Sequence, residues 1–151
     1  MRLTHLCDMR LAFEDDPILV RPYGGEDGSS FGQGGGTVIG ERLGGTARWV
    51  NVPQRRGDGA MLPNIRGVIT TPDGANVLFT MRGRTVWRAT AEGVVGNQLL
   101  SVLFETEDEG HRWLNDAVCV LEGAVAPPMP GRPRPQAPRG MRVYVCENDL
   151  M

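Results

Sequence analysis

Apolar and polar positions alternate with a period of two through much of the chain. From Leu3 to Phe13, one set holds Leu3, His5, Cys7, Met9, Leu11 and Phe13, and the other Thr4, Leu6, Asp8, Arg10 and Ala12. That spacing predicts a strand with one mostly apolar face. The best-defined element is a hairpin over Leu99–Glu122, where two apolar runs flank the acidic turn Glu105-Thr106-Glu107-Asp108-Glu109-Gly110. A second hairpin joins Ile65–Thr71 to Asn76–Met81 through Asp73-Gly74 and ends at Arg82-Gly83-Arg84. Met141–Glu147 alternates again and predicts a closing strand. The short run Ile18–Val20 is expected to extend or pair with the first strand. Val86–Asn97 reads as a short helix or irregular crossover, kept short by Gly93 and Gly96.

Between these runs lie turn formers. Pro22–Gln33, rich in glycine, serine and acid, reads as a mobile loop of the kind that covers a pocket, and Gln54–Gly59 as a polar turn. Pro127–Pro138, PPMPGRPRPQAP, has too many prolines for a helix or central strand and reads as an extended surface connector. The run Gly34-Gly35-Gly36-Thr37 lacks the lysine or the G-x-G-x-x-G spacing of a phosphate-binding loop, and no amphipathic helix follows it. Glycines placed inside strands instead mark bends, bulges or close backbone approach. The pattern therefore predicts a single all-β domain over residues 1–151: an antiparallel barrel, or strongly curved sandwich, of about eight to ten strands. A barrel of about eight strands has room for its own side chains or one small ligand, so a central ligand pocket is expected.

Composition narrows the function. With 151 residues, a net charge of −2 and 40% hydrophobic residues, the chain suits one folded core and has no charge excess to attract a polyanion. Nucleic acid is not an expected partner. No apolar run has the length of a membrane span, and His5, Asp8 and Arg10 interrupt the stretch a signal peptide would need, so a soluble, cytoplasmic protein is expected. All 16 basic residues are arginine. Schiff-base chemistry through lysine is thereby excluded. Ser29, Ser30 and Ser101 are the only serines and none sits in a nucleophile elbow, which argues against a serine hydrolase. Cys7, Cys119 and Cys146 are odd in number and far apart, and each lies in a strand-like run, which reads as buried free thiols. The two histidines, His5 and His111, lie too far apart in the chain to suggest a metal site, and no cofactor is implied.

Several landmarks recur in a fixed order: Gly35-Gly36-Thr37, Gly40 to Gly44 followed by Trp49, Thr71-Pro72-Asp73-Gly74 with Arg82-Gly83, Glu105-Thr106 with Trp113-Leu114-Asn115, and Val143-Tyr144-Val145. In these the chain resembles, from about Leu3 to Glu147, the uncharacterised bacterial family DUF3237. The resemblance implies a small closed β-barrel and an arginine at the position of Arg66, and it implies no settled activity. The chain departs from the family in having His111 and Arg112 before Trp113, where an aromatic residue is commoner, and in its proline-rich insert.

Candidate chemistry gathers on the central hairpin. Read as a strand, its second arm carries His111, Trp113 and Asn115 on one face. If that face lines the lumen, Trp113 stacks on a ligand, Asn115 hydrogen-bonds it, and His111 sits at the mouth as proton carrier. Glu105 on the facing strand is placed to orient His111 or act as base. Arg66 and Arg82 are candidates to hold a carboxylate, enolate or phenolate, and Trp49 to add an aromatic wall. The catalytic set is thus His111, Glu105 and Arg66, and the substrate-binding set Trp113, Asn115, Arg82 and Trp49. The expected function is a cofactor-independent isomerase, cyclase or lyase moving protons on an apolar, cyclic or polyketide-like small molecule in the lumen. A non-catalytic barrel that binds such a molecule is the alternative, and a protein acting through Pro127–Pro138 a third class. A homo-oligomer is compatible with each.

Overall fold

The period-two runs become strands in the computed structural model, which describes residues 1–21, 28–91, 93–126 and 140–150. They are β1 (Arg2–Phe13), β2 (Ile18–Val20), β3 (Ser29–Ile39), β4 (Gly45–Asn51), β5 (Gln54–Arg55), β6 (Met61–Leu62), β7 (Asn64–Thr70), β8 (Asn76–Thr90), β9 (Gly93–Glu105), β10 (Cys119–Val125) and β11 (Met141–Glu147). Among the described residues the one helical element is a short 3-10 turn, η1, over Arg112–Asp116.

Eight strands close into an antiparallel barrel in the order β1-β11-β10-β9-β8-β7-β4-β3, with β3 pairing back onto β1. β5 and β6 continue β4 and β7 in the same register: Asn51 faces Ile65, and further along Gln54 faces Leu62. Pro53 and Pro63 break the ladder between them, since neither has an N–H to donate. The Asn51 side chain bridges the gap by accepting from the Asn64 N–H at 3.0 Å, while the Val52 N–H donates to the Asn64 carbonyl at 3.1 Å.

The closing seam explains the glycine run. Along β1–β3, Arg10 faces Thr37 and Ala12 faces Gly35. A Cβ added at Gly34 would lie 1.9 Å from the Ala12 carbonyl oxygen, and one at Gly36 2.1 Å from that of Arg10. At Gly35 the nearest atom would be 3.2 Å away. The strands approach so closely that alternate positions on β3 exclude any side chain.

The inner face carries the core, with Cys7, Met9, Phe79, Met81, Val102 and Leu121 each at most 2% exposed. Cys7 and Cys119 are buried and Cys146 partly so, and all three are free. No helix among the described residues is long and apolar enough to cross a membrane.

Several expectations are corrected. Residues 86–97 form no helix: β8 and β9 pair continuously from Leu78↔Glu105 to Thr90↔Gly93, and Gly93, at φ 119°, supplies the tight reversal. The second arm of the central hairpin starts late. β9 ends at Glu105 and β10 begins at Cys119, so His111 to Asn115 lie in a turn and η1 instead of alternating along a strand. Ile18–Val20 pairs with β3, not β1. Ser29 to Gln33, expected in a loop, open β3. His5 points outward because a bulge between His5 and Cys7 reverses the alternation, burying both Leu6 and Cys7. Residues 22–27 of the expected loop, and the connector 127–138, lie outside the described residues.

Candidate functional site

One end of the barrel is closed by apolar side chains. Leu43, from the β3–β4 loop, is 1% exposed, Leu114 of η1 is fully buried, and both join the core. Arg42 lies over the Trp113 ring, 3.7 Å from its centroid, and so ties the two plugging segments together.

The segment between β9 and η1 is held by a chain of hydrogen bonds. Asn115 clamps Thr106, its Oδ1 accepting from the Thr106 N–H at 2.8 Å and its Nδ2 donating to the Thr106 carbonyl at 2.9 Å. The Thr106 hydroxyl donates to the Asn76 carbonyl at 2.7 Å and accepts from the Asp108 N–H at 3.2 Å. Asp108 Oδ2 in turn accepts from the His111 backbone N–H at 3.1 Å and lies 2.8 Å from His111 Nδ1. Aspartate three residues before histidine thus both starts the turn and fixes the ring. A carboxylate only accepts, so Nδ1 carries the proton toward Asp108, and Nε2 keeps its lone pair with no partner among the described residues. The imidazole is 18% exposed and the carboxylate 34%. Asp73, in the neighbouring β7–β8 turn, is held below the usual carboxylate range, first by the Thr71 hydroxyl, then by its own backbone N–H, with the smallest contribution from His111.

On the other side of Thr106 lies an open depression of about 640 Å3, lined by Asn76, Leu78, Glu105, Thr106, Glu107 and Asn115. Thr106 belongs to both features. The end of the barrel therefore offers an oriented imidazole and, linked to it through Thr106 and Asp108, a shallow cleft lined by Leu78 and by the carboxylates of Glu105 and Glu107.

The expected site residues do not converge. Glu105 lines the cleft, whereas His111, held on Asp108, is joined to it only through the Asp108–Thr106 hydrogen bond and is not among its lining residues. Asn115 borders the cleft, but both ends of its amide are engaged in clamping Thr106. Trp113 packs on the core, and the face expected to stack on a ligand is covered by Arg42. Arg66 and Arg82 are exposed on the outer wall, because Ile65, Gly67 and Met81 take the inward positions of β7 and β8. Trp49 alone is in the lumen, in edge-to-face contact with Phe13 at 4.8 Å and donating from Nε1 to the Gly35 carbonyl at 3.1 Å. Among the described residues no three His, Cys, Asp or Glu side chains gather as a metal ion would require.

Sequence reasoning passed over Asp108, whose spacing to His111 was the available signal. It also missed the buried polar pair of the lumen, in which Gln98 Nε2 donates to Thr85 Oγ1 at 2.9 Å. Reading 86–97 as a crossover hid the register that sets these two residues opposite one another across β8 and β9.

A closed eight-stranded antiparallel barrel, plugged at one end by a 3-10 turn, defines a class of small β-barrel proteins. The match to the family model over residues 1–129 is decisive: the chain belongs to DUF3237, a family of proteins of unknown function. No curated protein matches it. Among solved structures, a β-barrel-like protein from Acinetobacter baumannii AYE is similar at a TM-score of 0.77 and 16% identity, covering 95% of this chain and 92% of that one. An enzyme from Penicillium herquei gives 0.73 and 20%, covering 97% and 94%. A protein of unknown function from Clostridium acetobutylicum ATCC 824 gives 0.76 and 16%, covering 97% and 100%. At these identities the likeness concerns the fold.

Proposed function

We propose that this barrel is a cofactor-independent enzyme that moves protons on an apolar, cyclic small molecule, an isomerase, cyclase or lyase, with its acid/base group at the plugged end instead of deep in the lumen. The observation that carries the reading is the Asp108–His111 pair. An imidazole fixed at Nδ1 by a carboxylate, with Nε2 unengaged, is arranged to accept a proton at Nε2 and return it, Asp108 stabilising the imidazolium that forms between the two steps. Glu105 at the edge of the cleft supplies a second carboxylate, and Leu78 an apolar floor for the ring of the substrate. Arg66 and Arg82, on the outer wall, take no part in this version of the site.

The test is solvent-deuterium incorporation into a panel of cyclic enolisable ketones, read by mass spectrometry. The native protein is expected to catalyse exchange on at least one member, and His111→Ala to lower that rate by about 10²–10⁴-fold, the usual contribution of general acid/base catalysis. Exchange undiminished in His111→Ala would refute the assignment.

A second reading, a non-catalytic binding barrel, is favoured by one feature, the Thr85–Gln98 pair buried in the lumen. It predicts no exchange with any panel member, and ligand affinity lowered by Gln98→Leu while His111→Ala leaves it unchanged.

A further inference from the structure

Charge is spread unevenly around the barrel. The chain has 18 acidic and 16 basic residues. Yet the adjoining strands β3, β4, β7 and β8 hold Arg48, Arg66, Arg82, Arg84 and Arg88 and no aspartate or glutamate at all. All of these arginines lie at exposed, outward positions. None forms an ion pair with a described residue. The first carboxylate met beyond them across the sheet is that of Glu105, at the end of β9. One wall of a protein with a net charge of −2 is therefore purely basic, and such a wall attracts an anionic partner.

The register puts three of the arginines in file. Arg48 faces Val68, Arg66 faces Val50 and Thr80, and Arg82 faces Asn64. Each step from Arg48 to Arg66 to Arg82 thus crosses one strand, about 4.8 Å, and advances two residues, about 6.8 Å, a diagonal of about 8 Å between backbone positions. Eight strands close the barrel, so the wall also turns by about 45° from one strand to the next. An occupant that reaches all three guanidiniums must bend with this convex surface. A flat bilayer touches such a cylinder along one line, whereas an extended polypeptide can follow it. Side chains on one face of an extended chain repeat every two residues, about 6.8 Å, close to the step of the file. Single-stranded nucleic acid also bends, but it relies on aromatic rings for its bases to stack on. The outward positions of β4, β7 and β8 offer none, because Trp49, Phe79 and Trp87 occupy inward positions. The closed barrel has no free edge to which a strand could add. An extended segment would be held here through its carboxylates, which guanidinium groups match with paired hydrogen bonds.

We propose that the outer wall of β4, β7 and β8 is a docking surface for an extended acidic segment of another protein, whose carboxylates on alternate residues pair with Arg48, Arg66 and Arg82. The proposal is independent of the acid/base reading, which uses none of these arginines.

An NMR titration of the labelled native protein with a short peptide alternating Glu and Thr tests it. Saturable shifts confined to β4, β7 and β8 are expected, with a Kd below about 1 mM at about 50 mM salt. A peptide of the same composition with its glutamates in one block presents only half of them on either face, and should bind at least about 3-fold more weakly. Arg48→Gln, Arg66→Gln and Arg82→Gln together should weaken the alternating peptide by at least about 10-fold. Arg2→Gln, Arg56→Gln and Arg142→Gln together change the net charge equally but remove arginines that already face carboxylates, and should leave binding within about 2-fold of native. No saturable shift, equal binding of the two peptides, or equal loss in the two triple variants overturns the proposal. So does tighter binding of oligothymidylate or of phosphatidylserine vesicles than of the alternating peptide, which would make the wall a nucleic-acid or a membrane surface.

Discussion

Gly36→Ala is a substitution that the barrel should tolerate poorly, for a reason confined to one seam. The new methyl carbon would sit 2.1 Å from the Arg10 carbonyl oxygen, 2.9 Å from Leu11 Cα and 3.0 Å from the Arg10 carbonyl carbon. Relieving that contact requires β3 to move about 1 Å from β1, which stretches the flanking ladder bonds from about 2.9 Å beyond hydrogen-bonding distance. Two lost bonds at about 1 kcal/mol each, added to the 1–3 kcal/mol typical of overpacking, give about 3–5 kcal/mol. Gly35→Ala is the internal control. It lies between the two excluded positions, meets only the Ala47 carbonyl oxygen at 3.2 Å, and should cost less than about 1 kcal/mol. Urea unfolding of the two variants measures the difference, and hydrogen exchange at Arg10 and Ala12 locates it. Equal destabilisation by the two alanines, or a Gly36→Ala cost under about 1 kcal/mol, would refute the claim that these glycines serve strand approach.

Other outcomes follow from the same geometry. Leu114→Ala empties a fully buried position in the plug and should cost about 3–5 kcal/mol by urea unfolding, with little change in circular dichroism. Asn115→Ala removes both bonds to Thr106 and should cost about 1–2 kcal/mol, with faster hydrogen exchange at Thr106. Burial, with smaller contributions from Cys119 and Asp8, pushes the Cys7 thiol up to about 12, and burial pushes Cys119 to about 11. In the unfolded chain such thiols ionise near 8.5–9, so above that pH the unfolded state releases protons that the folded state retains. The stability conferred by the neutral Cys7 thiol is complete below about pH 9 and lost through pH 12, at about 1.4 kcal/mol per pH unit. Cys7→Ala should flatten that alkaline limb of a stability-versus-pH curve, and Arg2→Ala should not.

Alternation made the barrel legible before the structure. Leu3 to Phe13, Ile65 to Met81 and Met141 to Glu147 are strands, and the glycines of 34–36 lie at a close approach, as their neighbours implied. Two kinds of feature escaped. Bulges and prolines alter parity without altering composition: the bulge after His5 turned an expected inward histidine outward, and Pro53 and Pro63 cut two strands into four. The second kind is tertiary override. Val86 to Asn97 and His111 to Asn115 each suit more than one local structure, and pairing with β9 in one case and burial of Leu114 in the other decided between them. The candidate site suffered from that second error. Trp113 and Asn115 were assigned to a lumen face on a strand that is not there, whereas the role proposed for His111 rests on its contact with Asp108, three residues away on the same turn.

The tautomer of His111 tests the central claim most directly. With only two histidines in the chain, a long-range 1H–15N spectrum of protein labelled at histidine, assigned against His5→Gln, resolves both rings. At alkaline pH, where an imidazole is neutral, His111 should be protonated at Nδ1 with a bare Nε2, and Asp108→Ala should return it to the averaged shifts of a free ring. A proton on Nε2 in the native protein, or a ring indifferent to the loss of Asp108, would contradict the account.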